Sequence, residues 1–486
     1  MRLEQLLNGI QVISCNADLN TEITGVCYDS RQCEAGQLFV AISGFAVDGH
    51  RFIPAALEKG AAVVICERKP EVPCSYVQVE SARLALAQLG ANWFGHPADA
   101  MKIIGVTGTN GKTTTTYLLK SVLEKAIGAK VGLIGTIQNM IGEEVLHTER
   151  TTPESFELQQ LFAQMRDAGC THAIMEVSSH ALVLERVGGV QFAVGAFTNL
   201  TEDHLDFHKT MEEYAAAKAL LFRHCDRGVV NVDDAWADTM TKDALCPVMS
   251  YGIAGEAELT AKNVRQFSDH IELDACYQGE VYPVSLGIPG GFTAYNCLTV
   301  IGCALQLGLS LPVIAEALKT AQGVKGRVEV IPTPGTDYTV IADYAHTPDA
   351  LENVLQTVKG FCKGRVIALF GCGGDRDPIK RPIMGKIGVD NADFAVITSD
   401  NPRTEDPNAI IADILKGVEG TVTPYVTIEN RPEAIRWAMA NAQPDDIIVL
   451  AGKGYEDYQE INHVKYHLDE REVVAEYLAE LAQEGN

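Results

Sequence analysis

Short apolar runs, each closed by a turn rich in glycine, aspartate or proline, recur along the chain and alternate with stretches whose apolar residues return every three or four positions. The first pattern suits a strand buried on both faces, the second a helix packed on a sheet. Runs over 101–106, 130–134, 173–177 and 194–198 predict strands, with helical stretches such as 156–167 between them, and hence a mostly parallel sheet. The more polar stretch 256–284 alternates apolar and polar residues and reads as antiparallel strands. Helices are expected over 294–307 and 312–321. Beyond Gly326-Arg327 the alternation resumes with strands over 340–342, 365–370, 394–398 and 447–450. Residues 37–42 and 61–66 supply strands to the N-terminal segment.

These elements predict an α/β chain of three domains, in keeping with 486 residues at roughly 100 to 200 per domain. A small α/β domain is expected over 1–98, a central domain with a mostly parallel sheet over 99–326, and a Rossmann-like α/β domain over 327–486. Ligands of open parallel sheets sit beyond the carboxyl ends of the strands, so the loops there are the candidate sites.

Composition narrows the class. With 47% hydrophobic and 21% charged residues, neither disorder nor a fibrous repeat is indicated. A formal net charge of -25 excludes nucleic acid as a partner, because phosphate backbones need concentrated Lys and Arg. An acidic chain that takes an anionic substrate must gather its cations locally, which draws attention to the basic cluster within 374–381. The 13 cysteines never form CxxC, so zinc is not indicated. No exported or membrane-spanning apolar run is evident, and the chain reads as a reduced, cytoplasmic protein without membrane insertion.

The strongest chemical signal is Gly105-Val106-Thr107-Gly108-Thr109-Asn110-Gly111-Lys112-Thr113, between an apolar strand and a helix starting near Thr113. Glycines let successive N–H groups face phosphate, Lys112 brings charge to the β and γ oxygens, and the Thr113 hydroxyl suits Mg²⁺. The central domain is therefore a P-loop domain that takes ATP. Read locally, Glu176 is a carboxylate at the end of an apolar strand, near where the nucleotide would lie. Lys218 is a helix lysine, and locally it reads as solvated. Asp400-Asn401-Pro402-Arg403 is a proline-containing turn after a strand. Thr151-Thr152-Pro153-Glu154 reads as a helix start with Pro153 at the first helical position.

The P-loop block is one of several ordered segments. The others are Asp29-Ser30-Arg31, Thr151-Thr152-Pro153, Glu176-Val177-Ser178-Ser179-His180, Asn199-Leu200-Thr201-Glu202-Asp203-His204-Leu205-Asp206, residues 214–218, Gly326-Arg327-Val328-Glu329 and Asp343-Tyr344-Ala345-His346-Thr347-Pro348-Asp349. Together they resemble the Mur ligase and folylpolyglutamate synthetase superfamily over nearly the whole chain. The resemblance implies that Gly108, Thr109, Asn110, Gly111, Lys112, Thr113 and Thr114 bind ATP, joined by Asn296, Arg327 and Asp343. It implies that Thr113 and Glu176 hold one Mg²⁺, and that His204 with Lys218, as a carbamylated N6-carboxylysine, holds a second. Lys112, Glu176, His204 and Lys218 would then carry catalysis, with a hinge near Gly326 bringing ATP and amine together. His204, Asp206 and His208 could also suggest zinc, but no thiolate or HExxH companion appears.

Within that family the N-terminal segment resembles the branch that acts on a nucleotide-linked muramyl dipeptide. Tyr28, Ser30, Phe45, Ala46, Val47, Arg150, Thr151, Thr152, Ser178 and Arg186 are implied contacts to UDP-N-acetylmuramoyl-L-alanyl-D-glutamate. The DNPR block, Asp400, Asn401, Pro402 and Arg403, resembles the mark of enzymes that add meso-2,6-diaminopimelate, and Arg376, Gly452 and Glu456 match the remaining contacts. An Arg can grip a carboxylate bidentately and Glu456 can pair an ammonium, so lysine would leave Arg403 without a partner. Tyr455 stands where relatives often have His in GKGHE. The implied activity is an ATP-dependent, ADP-forming ligase of peptidoglycan precursor synthesis, active as a monomer. A lysine-adding ligase and a P-loop ATPase switch stay open as alternatives; no NKxD block supports the switch.

Overall fold

A computed structural model describes residues 1–44, 47–148, 150–321 and 323–484. The chain divides into two compact units, one of Met1–Leu259 with Thr299–Ser310 and one of Thr260–Leu298 with Leu311–Asn486. Among the described residues no helix is long and apolar enough to cross a membrane.

The first unit begins with a five-stranded sheet ordered Val12–Cys15, Tyr76–Val79, Val63–Cys66, Leu38–Val40, Val26–Cys27. Only the Val12–Cys15 pairing is antiparallel. Leu38, Val40, Val63, Ile65 and Val77 bury against Leu86 and Leu89 of the helix Ala82–Phe94. That helix starts where the Ser81 side chain accepts from Leu84 N and stops at left-handed Gly95.

The central sheet places six parallel strands in the order Val248–Gly252, Gly228–Asn231, Val194–Phe197, Lys102–Thr107, His172–Glu176, Val131–Ile134, and continues antiparallel through Asn139–Ile141 and Glu144–Leu146. The apolar runs are buried throughout because helices cover both faces of a parallel sheet. Glu176 pairs in register with Val106, which brings the end of its strand level with the start of the phosphate loop. The expected helix over 156–167 is Ser155–Asp167, but Pro153 is not at its first position. Glu154 is the cap, in extended conformation, and its side chain makes no capping bond because arginines claim it.

In the second unit Ile271–Tyr277 and Glu280–Leu286 pair antiparallel from Ile271 opposite Leu286, as the alternation of 256–284 predicts. Its six-stranded sheet runs Glu329–Ile331, Thr339–Asp343, Ile447–Ala451, Val366–Phe370, Phe394–Ile397, Tyr425–Thr427, parallel except at the first pair. One face packs against Leu351, Val354 and Leu355 of Pro348–Lys359 with Met384 and Ile410, Ile411 and Ile414. The other packs against Ala434, Ile435, Ala438, Val473 and Val474. Asp343, Gly371, Thr398 and Gly452 follow or end the strands on one edge, so the DNPR turn and the Gly452 turn are gathered there. A hairpin absent from the sequence expectation, Tyr458–Ile461 with Val464–His467, follows.

Candidate active site

The phosphate loop leaves the strand Lys102–Thr107 at Gly108 and enters the helix Lys112–Ile127 through left-handed Gly111. Gly108 has φ 145, and a Cβ there would lie 1.9 Å from Thr198 Oγ1, so this turn requires glycine. The segment after Val194–Phe197 holds the loop. Thr109 N donates to Asn199 O at 2.8 Å, Asn110 N to Asn199 Oδ1 at 3.0 Å, and Thr198 Oγ1 to Asn110 O at 2.7 Å. Lys112 Nζ donates to Gly108 O at 2.9 Å and Thr109 O at 2.8 Å, which keeps its charge on the loop.

Glu176 is fully buried and therefore not the surface acid that local sequence allows. Its Oε1 accepts from Thr113 Oγ1 and from Thr136 N, each at 3.0 Å, and its Oε2 accepts from Thr136 Oγ1 at 3.0 Å. These bonds join a carboxylate and a hydroxyl at the mouth of the phosphate loop, a donor set of hard oxygens that fits Mg²⁺ beside phosphates. Among the described residues no cluster of three His, Cys, Asp or Glu side chains is positioned to hold a metal by itself. His208 Nε2 lies 2.8 Å from Ser179 Oγ, which gives the ring a role other than zinc ligation with His204.

Lys218, on Met211–Ala219, is 1% exposed, the reverse of a solvated helix lysine. Its Nζ donates to Gly108 O at 2.8 Å and lies 4.6 Å from the Tyr214 ring centroid. Burial, reinforced by the Lys112 ammonium, pushes its pKa well below the ordinary lysine value, although Asp203 opposes this. Lowered basicity favours the neutral amine, the form that is nucleophilic toward CO₂. Its placement under the phosphate loop thus fits carbamylation. His204 caps a short helix in left-handed conformation, with Nε2 3.5 Å from Asp203 Oδ2 and its ring 5.0 Å from that of His180.

Around Glu154 the first unit collects positive charge. Arg186 Nε lies 2.7 Å, Arg150 Nη1 3.2 Å and Arg83 Nη1 3.8 Å from its carboxylate. Even counting Glu157 of the adjoining cavity, three guanidinium groups face two carboxylates, so an anionic ligand is favoured here, against the acidic background of the chain. Arg150 and Glu154 line a cavity of about 360 Å³ with Tyr28, Asn139 and Glu157, and the Tyr28 hydroxyl donates to Glu157. Thr152 is buried, donating to Glu176 O at 2.7 Å and accepting from Ser178 N at 3.2 Å, so it ties the segment beside the cavity to the strand that ends in Glu176. Thr151 Oγ1 lies 3.1 Å from Thr136 Oγ1. Ser30 is buried and Val47 exposed, while Phe45 and Ala46 lie outside the described residues. Sequence reasoning missed Arg83, Thr136, Glu154 and Asn199 as site residues. Of these, Glu154 and Asn199 stand in blocks already singled out, Glu154 there only as part of a helix start.

In the second unit, Asp343 is buried and its carboxylate accepts from Val328 N at 2.8 Å and Ala345 N at 2.9 Å. Burial raises its pKa above the usual carboxylate range. Asn296 Nδ2 and Arg327 Nε are buried with no hydrogen-bond partner among the described residues, an unsatisfied state that a ligand would relieve. At the DNPR turn, burial alone would raise the Asp400 carboxyl, but Lys453 and Arg431 hold it below its usual range. Asp400 Oδ2 has no partner among the described residues. Asn401 Nδ2 donates to Glu456 Oε2 at 2.9 Å, and fully buried Lys453 donates to Asn401 Oδ1 at 2.9 Å and Tyr458 O at 2.7 Å. Gly452 N donates to Asp343 O at 3.0 Å. Arg403 Nη1 donates to Gly374 O at 2.8 Å, and Gly374 N to Asn401 O at 2.9 Å, so the turn that precedes Arg376 is laced to the DNPR turn. Arg376 itself is exposed. Lys453 was missed because a lysine between two glycines reads locally as solvated.

Residues 22–102 match the Mur ligase family catalytic domain, 106–304 the Mur ligase middle domain and 326–454 the Mur ligase glutamate ligase domain. The chain is 47% identical over 484 residues to UDP-N-acetylmuramoyl-L-alanyl-D-glutamate--2,6-diaminopimelate ligase 1 of Clostridium acetobutylicum, covering 99% of this chain and 100% of the relative. It is 48% identical over 466 residues to the ligase of the same description from Clostridium botulinum, covering 95% and 96%. A solved structure of a UDP-N-acetylmuramoyl-L-alanyl-D-glutamate--2,6-diaminopimelate ligase superposes with TM-score 0.76 at 32% identity, covering 99% of each chain.

Proposed function

We propose that this chain, which belongs to the Mur ligase family, joins meso-2,6-diaminopimelate to UDP-N-acetylmuramoyl-L-alanyl-D-glutamate in an ATP-dependent, ADP-forming reaction of peptidoglycan precursor synthesis. The observation that carries this reading is the pairing of two differently built sites. One is a phosphate loop with a buried lysine beneath it, and the other a turn that fixes Arg403 among acidic and amide side chains. A switch needs the first and has no use for the second.

The acceptor carboxylate attacks the γ-phosphorus of ATP, forming an acyl phosphate and ADP, and the amine of the amino acid then displaces phosphate to leave an amide. The N–H groups of residues 108–114 cradle the phosphates, and Lys112 offsets their charge as it moves. Magnesium, when bound, would be held by Thr113 and Glu176 and by His204 with carbamylated Lys218, and would supply positive charge to the phosphoryl oxygens. Thr136 fixes the Glu176 carboxylate through both oxygens, its N–H donating to the oxygen that also accepts from Thr113 and its hydroxyl to the other. Asn296, Arg327 and Asp343 are assigned to the nucleotide from the sequence resemblance. Tyr28, Ser30, Val47, Arg150, Thr151, Ser178 and Arg186 take the acidic acceptor, with Phe45 and Ala46 assigned from sequence alone. Arg376, Asp400, Asn401, Pro402, Arg403, Gly452 and Glu456 take diaminopimelate, guanidinium against carboxylate and carboxylate against ammonium. We read these roles onto three segments, 1–98, 99–326 and 327–486.

The test is product analysis by mass spectrometry with diaminopimelate and lysine offered together. The expected product carries diaminopimelate almost exclusively, since a site built around a charged partner rejects a substrate that leaves it unpaired. Equal incorporation of lysine would overturn the assignment.

A further inference from the structure

The hairpin Tyr458–Ile461 and Val464–His467 carries none of the residues assigned to substrate, yet it holds Arg403. Arg403 N donates to Glu460 O at 3.0 Å and Asn462 N donates to Arg403 O at 2.8 Å, so the hairpin grips both backbone groups. Arg403 sits at φ 52, a conformation that is costly for a side-chain-bearing residue and that persists only where its surroundings impose it. The side chain is gripped as well. Nε donates to Glu460 Oε2 at 3.2 Å, and Nη1 donates to Gly374 O at 2.8 Å. Glu460 is in turn fixed, because its N–H donates to Asn401 Oδ1 at 2.9 Å, the atom that also accepts from buried Lys453.

A guanidinium carries five N–H donors in a planar fork. The two bonds just described use the Nε donor and one Nη1 donor, so the donors left for a ligand all lie on the two terminal nitrogens. We propose that Glu460 is a positioning residue for amino-acid selection. By accepting side-on from Nε it sets the plane of Arg403, so that the terminal nitrogens present a bidentate edge to the distal carboxylate of a diamino acid. Gly374 O fixes one end of that edge and Glu460 the rotation about it. This rests on the reading that Arg403 meets that carboxylate, and it places specificity in an element that the assigned contacts do not include.

Steady-state kinetics of Glu460→Ala, Glu460→Gln and Glu460→Lys, with diaminopimelate and with lysine, test the proposal. Glu460→Ala should raise KM for diaminopimelate by about tenfold and narrow its preference over lysine, while kcat and KM for ATP stay within about twofold. Glu460→Gln keeps an acceptor for Nε and should stay close to the parent. Glu460→Lys, a charge reversal at a partly exposed position, should exceed alanine and guards against a mere packing effect. An unchanged KM in Glu460→Ala, a lowered KM from relief of competition for Arg403, or an equal loss with both amino acids would each overturn the proposal. Arg403→Ala separates the two levels. If it leaves the preference unchanged, the reading beneath the proposal fails; if it abolishes the preference while Glu460→Ala does not, only the role of Glu460 fails.

Discussion

Lys218 shows how far one side chain depends on its surroundings. Buried beneath Gly108 and close enough to Lys112 to be repelled by it, its amine is held well below ordinary lysine basicity. A second ammonium there would be costly, and a carbamate would reverse the sign of the charge at the loop. Uptake of labelled bicarbonate, followed by ¹³C NMR, should therefore rise with pH through the depressed pKa, as the neutral amine becomes the main form, and should vanish in Lys218→Ala. That variant should lose ligation by roughly 10³-fold or more, the scale of a group that stabilises transferring phosphate, and a short-chain carboxylate should restore part of it. Rescue that fails in a folded variant would argue against the carbamate. Local sequence alone gives no sign of this burial. A lysine in Met211–Ala219 reads as solvated, and only the resemblance of residues 214–218 to the family reverses that reading.

Among elements, the loops that end the second unit's parallel strands act together. Gly374 approaches the DNPR turn so closely that a Cβ would lie 1.9 Å from Pro402 O. Gly374→Ala should push the two turns apart and raise KM for diaminopimelate by about tenfold or more, the cost of one lost charge-assisted hydrogen bond, while leaving the nucleotide KM unchanged. An unaltered diaminopimelate KM would show that the turns are not coupled. The strands beneath these loops are legible in the sequence, because a parallel strand buried on both faces is an unbroken apolar run, as in Val366–Phe370 and Ile447–Ala451. The hairpin is not legible in this way. Val464–His467 is exposed along its length and Tyr458–Ile461 is only partly covered, so burial writes no period into either strand. The start of Ser155–Asp167 misleads for a different reason. Glu154 caps it in conformation while its carboxylate serves nearby Arg150 and distant Arg186, a charge demand that the proline signal does not reveal.

For the whole molecule, a net charge of -25 makes every local excess of cations informative. Arg83, Arg150 and Arg186 gather in one unit around Glu154, and Arg403 and Lys453 in the other on and beside the DNPR turn. Each unit has its own buried cores, so both sites rest on packed sheets. The strand and helix alternation is legible at this scale because the apolar runs recur on both sides of residues 256–284. Long-range pairs such as Arg83 with Glu154, or the buried Arg431 with Glu470, span separations that no local pattern encodes. The central claim, that the acceptor carboxylate takes up the γ-phosphoryl group before the amine attacks, is tested most directly by oxygen transfer. With the acceptor's reacting carboxylate labelled with ¹⁸O, and ATP, magnesium and diaminopimelate supplied, each amide formed should release phosphate carrying one labelled oxygen. Amide formation with unlabelled phosphate, or phosphate release with no amide, would contradict it.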